Sequence, residues 1–150
     1  MVFAIEPEER LPIPSADEVR AQLADWKERI SRLFADIRNW APPDLTVDSS
    51  KSVDMLEPLM ERYGIAPQRM PVLEFRRGTE PLLTFVPDAL WVLPTRGRVL
   101  VEGGTERVKL LDVSEDGASP RWVVMDRDWW ERGDRPFDRD LLNELLARVS

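Results

Sequence analysis

The sequence predicts an α+β fold: a long N-terminal helix, an antiparallel β-meander of about six to seven strands and a C-terminal helix, arranged as a two-layer sandwich. Three observations carry this expectation. An unbroken apolar stripe of helical period runs through residues 19–40, the period shortens to that of strands beyond residue 70, and leucines at helical spacing close the chain. Helices with one apolar stripe and strands with one apolar face bury all of these surfaces when the helices lie on one side of the sheet.

Residues 1–14 contain Pro7, Pro12 and Pro14 and read as an extended arm. Ser15 and Glu18 have the spacing of a capping box, in which the serine oxygen takes the Glu18 amide and the glutamate returns to the Ser15 amide. Val19, Leu23, Trp26, Ile30, Leu33, Ile37 and Trp40 then follow at intervals of 4, 3, 4, 3, 4 and 3, with Phe34 widening the stripe. Asp25–Arg29, Glu28–Arg32 and Arg32–Asp36 are expected as i,i+4 pairs on the outer surface, and Pro42-Pro43 ends the helix. The stripe could be a coiled-coil seam or one face of a helix lying on its own sheet. Its bulky Trp26 and Trp40 suit a sheet surface better than a knobs-into-holes seam.

Residues 51–64 fit either a strand or a helix; we read a strand at 51–57 and a short helical turn after it. From residue 70, short runs rich in Val, Leu, Phe and Trp at 72–76, 82–86, 90–93, 98–102, 107–113 and 121–125 read as strands. Arg77-Gly78-Thr79, Pro87-Asp88, Pro94-Thr-Arg-Gly97, Gly103-Gly104 and Asp116-Gly117 read as the turns between them. Such short connections join antiparallel neighbours, because parallel crossovers need a dozen residues or more. Asp138 starts the last helix, with Leu141, Leu142, Leu145, Leu146 and Val149 on one side and Phe137 and Leu142 placed as a hydrophobic staple.

The composition excludes more than it assigns. The 150 residues are 43% apolar and 33% charged, an ordinary balance for a single globular domain spanning 1–150. There is no histidine and no cysteine, which removes His-dependent triads, Cys–His pairs, disulfides and zinc sites built on either residue. Twenty-eight acids against twenty-one bases give a net charge of −7, and both halves are acidic. Nucleic acid and anionic membrane are therefore poor partners. No apolar stretch approaches the roughly 20 residues of a membrane span, and the N-terminus lacks the basic region of a signal peptide; a cytoplasmic location is the expectation. No cofactor is implied, and the oligomeric state is left between monomer and homodimer.

Several constellations bear on chemistry. Asp112-x-Ser114-x-Asp116-Gly117 begins like a calcium loop, but Val123 stands where the bidentate glutamate belongs, and the segment reads as a plain turn. Pro87-Asp88 with Glu102, Glu106 and Lys109 resembles a PD-(D/E)xK nuclease pattern; Arg107 stands two residues before Lys109, so that reading fails. In the charged stretch 126–140, Asp126 and Asp128 share a side if the strand continues, and with Asp88 they form the candidate for a metal-dependent, carboxylate-based hydrolase. Four arginines interleaved there favour a solvated, ion-paired loop instead.

Trp129-Trp130 invites a third reading. Adjacent residues point in different directions, so either both rings cover the sheet edge or one is exposed. Exposed tryptophan is enriched at interface centres, which makes Trp129, Trp130, Arg127 and Arg132 the candidate partner-binding residues. A small-molecule pocket between sheet and long helix, lined by Trp26, Trp40 and Trp91, is a further alternative. In architecture and charge the chain resembles bacterial secretion chaperones and immunity proteins. The functional expectation is a non-catalytic module that binds another protein.

Overall fold

A computed structural model describes residues 12–125 and 135–150 of the chain. Helix α1 spans Ala16–Trp40, with Ser15 as its N-cap accepting the Glu18 amide at 3.2 Å. The Glu18 carboxylate accepts from the Ser15 hydroxyl, also at 3.2 Å, in place of the expected Ser15 amide. Val19, Leu23, Trp26, Ile30, Leu33, Phe34 and Ile37 are all buried. The stripe thus packs inside its own chain rather than forming a coiled-coil seam. Trp40 at its end is half-buried against Phe137, with ring centroids 5.7 Å apart. Of the arm, residues 1–11 lie outside the described residues; Pro14 is held through its carbonyl by the Tyr63 hydroxyl.

The meander follows. Strands β4 (Leu73–Arg77), β5 (Glu80–Ala89), β6 (Arg98–Gly103), β7 (Glu106–Asp112), β8 (Trp122–Met125) and β9 (Arg135–Pro136) pair antiparallel in sequence order, and β1 (Thr46–Asp48) adds to the free side of β4. Register fixes which side is apolar. Phe75↔Leu83, Leu73↔Phe85, Phe85↔Val101, Val101↔Val108, Val99↔Leu110 and Leu110↔Val124 are cross-strand partners, and every one of these residues belongs to the core. A one-residue slip would turn the whole set to the other face. The other face carries the polar row Glu74↔Thr84↔Glu102↔Arg107 beside a more apolar one, Val86↔Leu100↔Lys109↔Met125, and the buried pair Leu111↔Val123.

Helix α3 (Arg139–Val149) closes the same layer as α1. Asp138 caps it through the Leu141 amide at 2.9 Å, and Leu141, Leu142, Leu145 and Leu146 are buried in the common core. No helix among the described residues is long and apolar enough to cross a membrane.

Four local readings change. Pro87-Asp88 is not a turn: β5 runs ten residues through it, with a register shift between Pro87 and Ala89. A bulge tolerates proline because the local ladder is already interrupted. Residues 90–93 are consequently not a strand but the start of a loop, which contains the cis Leu93–Pro94 peptide. The strand expected at 51–57 exists as β2 (Ser52–Met55), followed by helix α2 (Pro58–Arg62), but it leaves the main sheet. It pairs instead with β3 (Gln68–Pro71), and this small hairpin brings Met55, Met60 and Met70 into the core. The two-residue turn between β6 and β7 has Gly104 and Thr105 at its centre, one position later than expected. Gly104 alone carries the positive φ (55°), the sign pattern of a II′ turn.

Candidate functional site

A groove of about 800 Å³ opens where three segments meet: the first half of α1, the loop 90–97 between β5 and β6, and the loop 113–117 after β7. Helix α1 contributes Glu18, Gln22, Asp25 and Arg29. The first loop contributes Leu90, Leu93, Pro94, Thr95 and Arg96, and the second Val113 through Gly117.

Its floor is a buried ion-pair network. Arg29 lies beside the apolar stripe of α1, three residues after Trp26, and is only 4% exposed. Its Nε donates to Asp25 Oδ2 at 2.7 Å. Its Nη1 donates to Asp112 Oδ2 and to the Arg96 carbonyl, both at 2.8 Å. The Asp25–Arg29 pair was expected on the outer surface; the structure turns the arginine inward because Asp112, at the end of β7, stands on the core-facing side of the sheet. The guanidinium also sits over the Trp26 ring, 5.1 Å from its centroid. Trp26 in turn fills the helix–sheet interface, packed on Trp122 with centroids 6.1 Å apart.

Asp112 is fully buried, and both of its oxygens are engaged. Oδ2 takes Arg29, while Oδ1 accepts the Ser114 amide (3.0 Å), the Ser114 hydroxyl (2.6 Å) and the Arg121 amide (3.1 Å). Burial pushes its pKa up, but the Ser114, Arg121 and Arg29 hydrogen bonds outweigh that and hold it below the usual carboxylate value. This carboxylate therefore stays ionised and organises the loop. The segment that begins like a calcium loop turns its leading aspartate onto protein donors instead.

Arg96 joins the two loops to the helix. Its Nη1 donates to Ser114 Oγ and the Glu115 carbonyl, each at 3.0 Å, and its Nη2 to Asp25 at 3.0 Å. Its backbone amide bonds the Asp112 carbonyl at 2.8 Å. The start of the first loop is held from below by Glu57, whose carboxylate accepts the Leu90 amide at 2.8 Å and the Trp91 amide at 3.4 Å. Burial raises the Glu57 pKa, and the Leu90 and Trp91 amides offset this only in part. The Trp91 indole donates to Gln22 at 2.6 Å, a second tie to α1. Above this rigid floor Leu93 is 71% exposed at the lip.

The residues singled out from sequence fall elsewhere. Trp129, Trp130, Arg127, Arg132, Asp126 and Asp128 lie outside the described residues. Asp88 sits in the β5 bulge and is paired with Arg98, whose Nε donates to it at 2.6 Å. Trp26 is buried in the core, and Trp40 and Trp91 pack half-buried against it, none of the three lining the groove. Among the described residues no three carboxylates converge as a metal site. Sequence reasoning missed the groove because its parts come from three distant segments. The signals were present: an arginine one step off an apolar stripe, and an Asp-x-Ser turn at a strand end. No protein-family model matches the chain, and no curated protein or solved structure is significantly similar to it.

Proposed function

We propose that the chain is a non-catalytic protein-interaction module, of the adaptor, chaperone or immunity kind, and that the groove is where its partner docks. The observation that carries this reading is the contrast between floor and lip. The charged groups of the floor are committed to one another, whereas Leu93 stands exposed beside a cleft of a size that takes a ligand. A pinned network of this kind is suited to holding a shape. General acid–base chemistry needs a group poised near working pH, and Asp112, the most buried carboxylate of the floor, is held in the opposite direction.

The test is a pull-down from native lysate with the full chain, its Leu93→Asp variant and the Trp129→Ala/Trp130→Ala variant side by side. A stoichiometric protein partner retained by the tryptophan variant and lost with Leu93→Asp, at unchanged melting temperature, is the expected result. Loss only in the tryptophan variant would move the docking surface to that pair. Saturable stabilisation of the chain by millimolar Mg²⁺, Mn²⁺ or Ca²⁺ would favour the metal-dependent hydrolase instead.

A further inference from the structure

Resting on the groove as a docking site, we infer that its occupant is a polypeptide segment carrying a basic side chain with an apolar residue close by. The charge balance at the mouth points that way. Glu18, Asp25, Glu115 and Asp116 line the groove against Arg29 and Arg96. Arg29 is buried and its charge is met inside by Asp112 at 2.8 Å, so it offers little to a ligand. Asp25 is tied to Arg29 at 2.7 Å and to Arg96 at 3.0 Å, so what remains toward solvent is Glu18, Glu115 and Asp116 against Arg96, a guanidinium that already donates to Asp25, Ser114 and the Glu115 carbonyl and stands 3.6 Å from Asp116. Asp116 is fully exposed at the loop tip.

An anionic segment would meet like charge, with no uncommitted arginine among the described residues lining the groove to receive it, and juxtaposed like charges reject partners strongly. A lysine or arginine would instead enter a field of one sign focused by a cleft, which raises encounter rates and makes them salt-sensitive. The apolar requirement comes from the other wall. Leu93 and Pro94 form an exposed lip continuous with Leu90, and on binding they gain only from an aliphatic or aromatic neighbour of the cation. The combined chemistry is thus cationic and apolar on one short segment.

The probe is a random peptide display library panned on the full chain, with the enriched peptides synthesised and titrated by fluorescence anisotropy. The expected winners carry net positive charge with Leu, Met or Phe within a few residues of Arg or Lys. Their Kd should weaken at least about tenfold in Glu115→Lys/Asp116→Lys and several-fold between low and moderate salt. Leu93→Asp should also weaken them, and Lys109→Glu on the opposite sheet face should not. Both loop positions are exposed, so an unchanged melting temperature certifies the fold of the charge-reversal variant. Neutral or acidic winners that lose binding in Leu93→Asp would overturn the cationic occupant while leaving the docking reading in place. Winners that bind all variants alike, or no enrichment at all, would overturn both.

Discussion

Arg29 on α1 and Asp112 at the end of β7, 83 residues apart in the chain, meet at 2.8 Å with both side chains buried. The pair fastens the helix layer to the sheet beside the groove, but the two partners are not equivalent. Asp112 also receives three donors from Ser114 and Arg121, whereas Arg29 also reaches Asp25 and the Arg96 carbonyl. Asp112→Ala takes the acceptor from the Ser114 and Arg121 amides and the Ser114 hydroxyl, leaves Arg29 with only Asp25 and the Arg96 carbonyl, and should cost about 3–5 kcal/mol. Arg29→Met leaves Asp112 with its loop donors and restores apolar packing against Trp26, so its cost should be smaller. Urea unfolding of both variants checks the order. Equal losses would mean that the loop donors contribute little.

The same carboxylate sets one limb of the pH profile. The pKa of Asp112 is lower folded than unfolded, so its contribution is present above the unfolded value near 3.8 and is lost as pH falls through the folded one. Asp112→Asn removes this dependence. Unfolding free energies measured from pH 7 down to pH 2 should fall more steeply in the native chain than in the variant, and the gap between them should narrow in acid. Parallel curves would show that Asp112 is not held ionised.

Much of this fold was legible in the residues. The 4-3-4-3 stripe from Val19 to Trp40, the shortened period after residue 70 and the closing leucines each report a local preference that the packing agrees with. The misreadings have a shared cause. Pro87 looks like a turn residue because its missing N–H interrupts a regular ladder, but a bulge removes that conflict and lets β5 continue. Residues 46–48 and 68–71 are too short to show an alternation, and only their partners β4 and β2 define them as strands. The site was less legible still. Arg29 follows the helical pattern of a surface residue, and only the distant Asp112 explains its burial.

Gly97 gives a sharp test of how the groove is seated on the core. Its φ is +139°, and a Cβ built there would lie 2.2 Å from the Trp26 ring. Gly97→Ala therefore combines backbone strain with overpacking against a ring that is itself fully buried, each costing on the order of 1–3 kcal/mol. The expected result is a marked fall in melting temperature with a changed near-ultraviolet tryptophan spectrum. Gly117→Ala is the control for strain alone, since its φ is also positive (80°) but nothing lies within 4 Å. If the two variants lose equal stability, the Trp26 contact is not the constraint.

Glu57 opposes Asp112 in sign. It anchors the groove loop through the Leu90 and Trp91 amides, yet burial holds its folded pKa above the unfolded one. A raised value means that its contribution is fully present below the unfolded pKa and is lost as pH rises through the folded one. Glu57→Gln keeps an amide oxygen for the loop and drops the charge. Relative to the native chain, this variant should therefore gain stability as pH rises from about 3 to 7. Glu57→Ala removes the acceptor outright and should expose the Leu90 and Trp91 amides to fast hydrogen exchange at both ends of that range. It should also weaken groove-bound peptides by loosening the Leu93 lip. Slow exchange of those amides in Glu57→Ala would mean that the loop is held by Gln22 and Arg96 without help from the carboxylate beneath it.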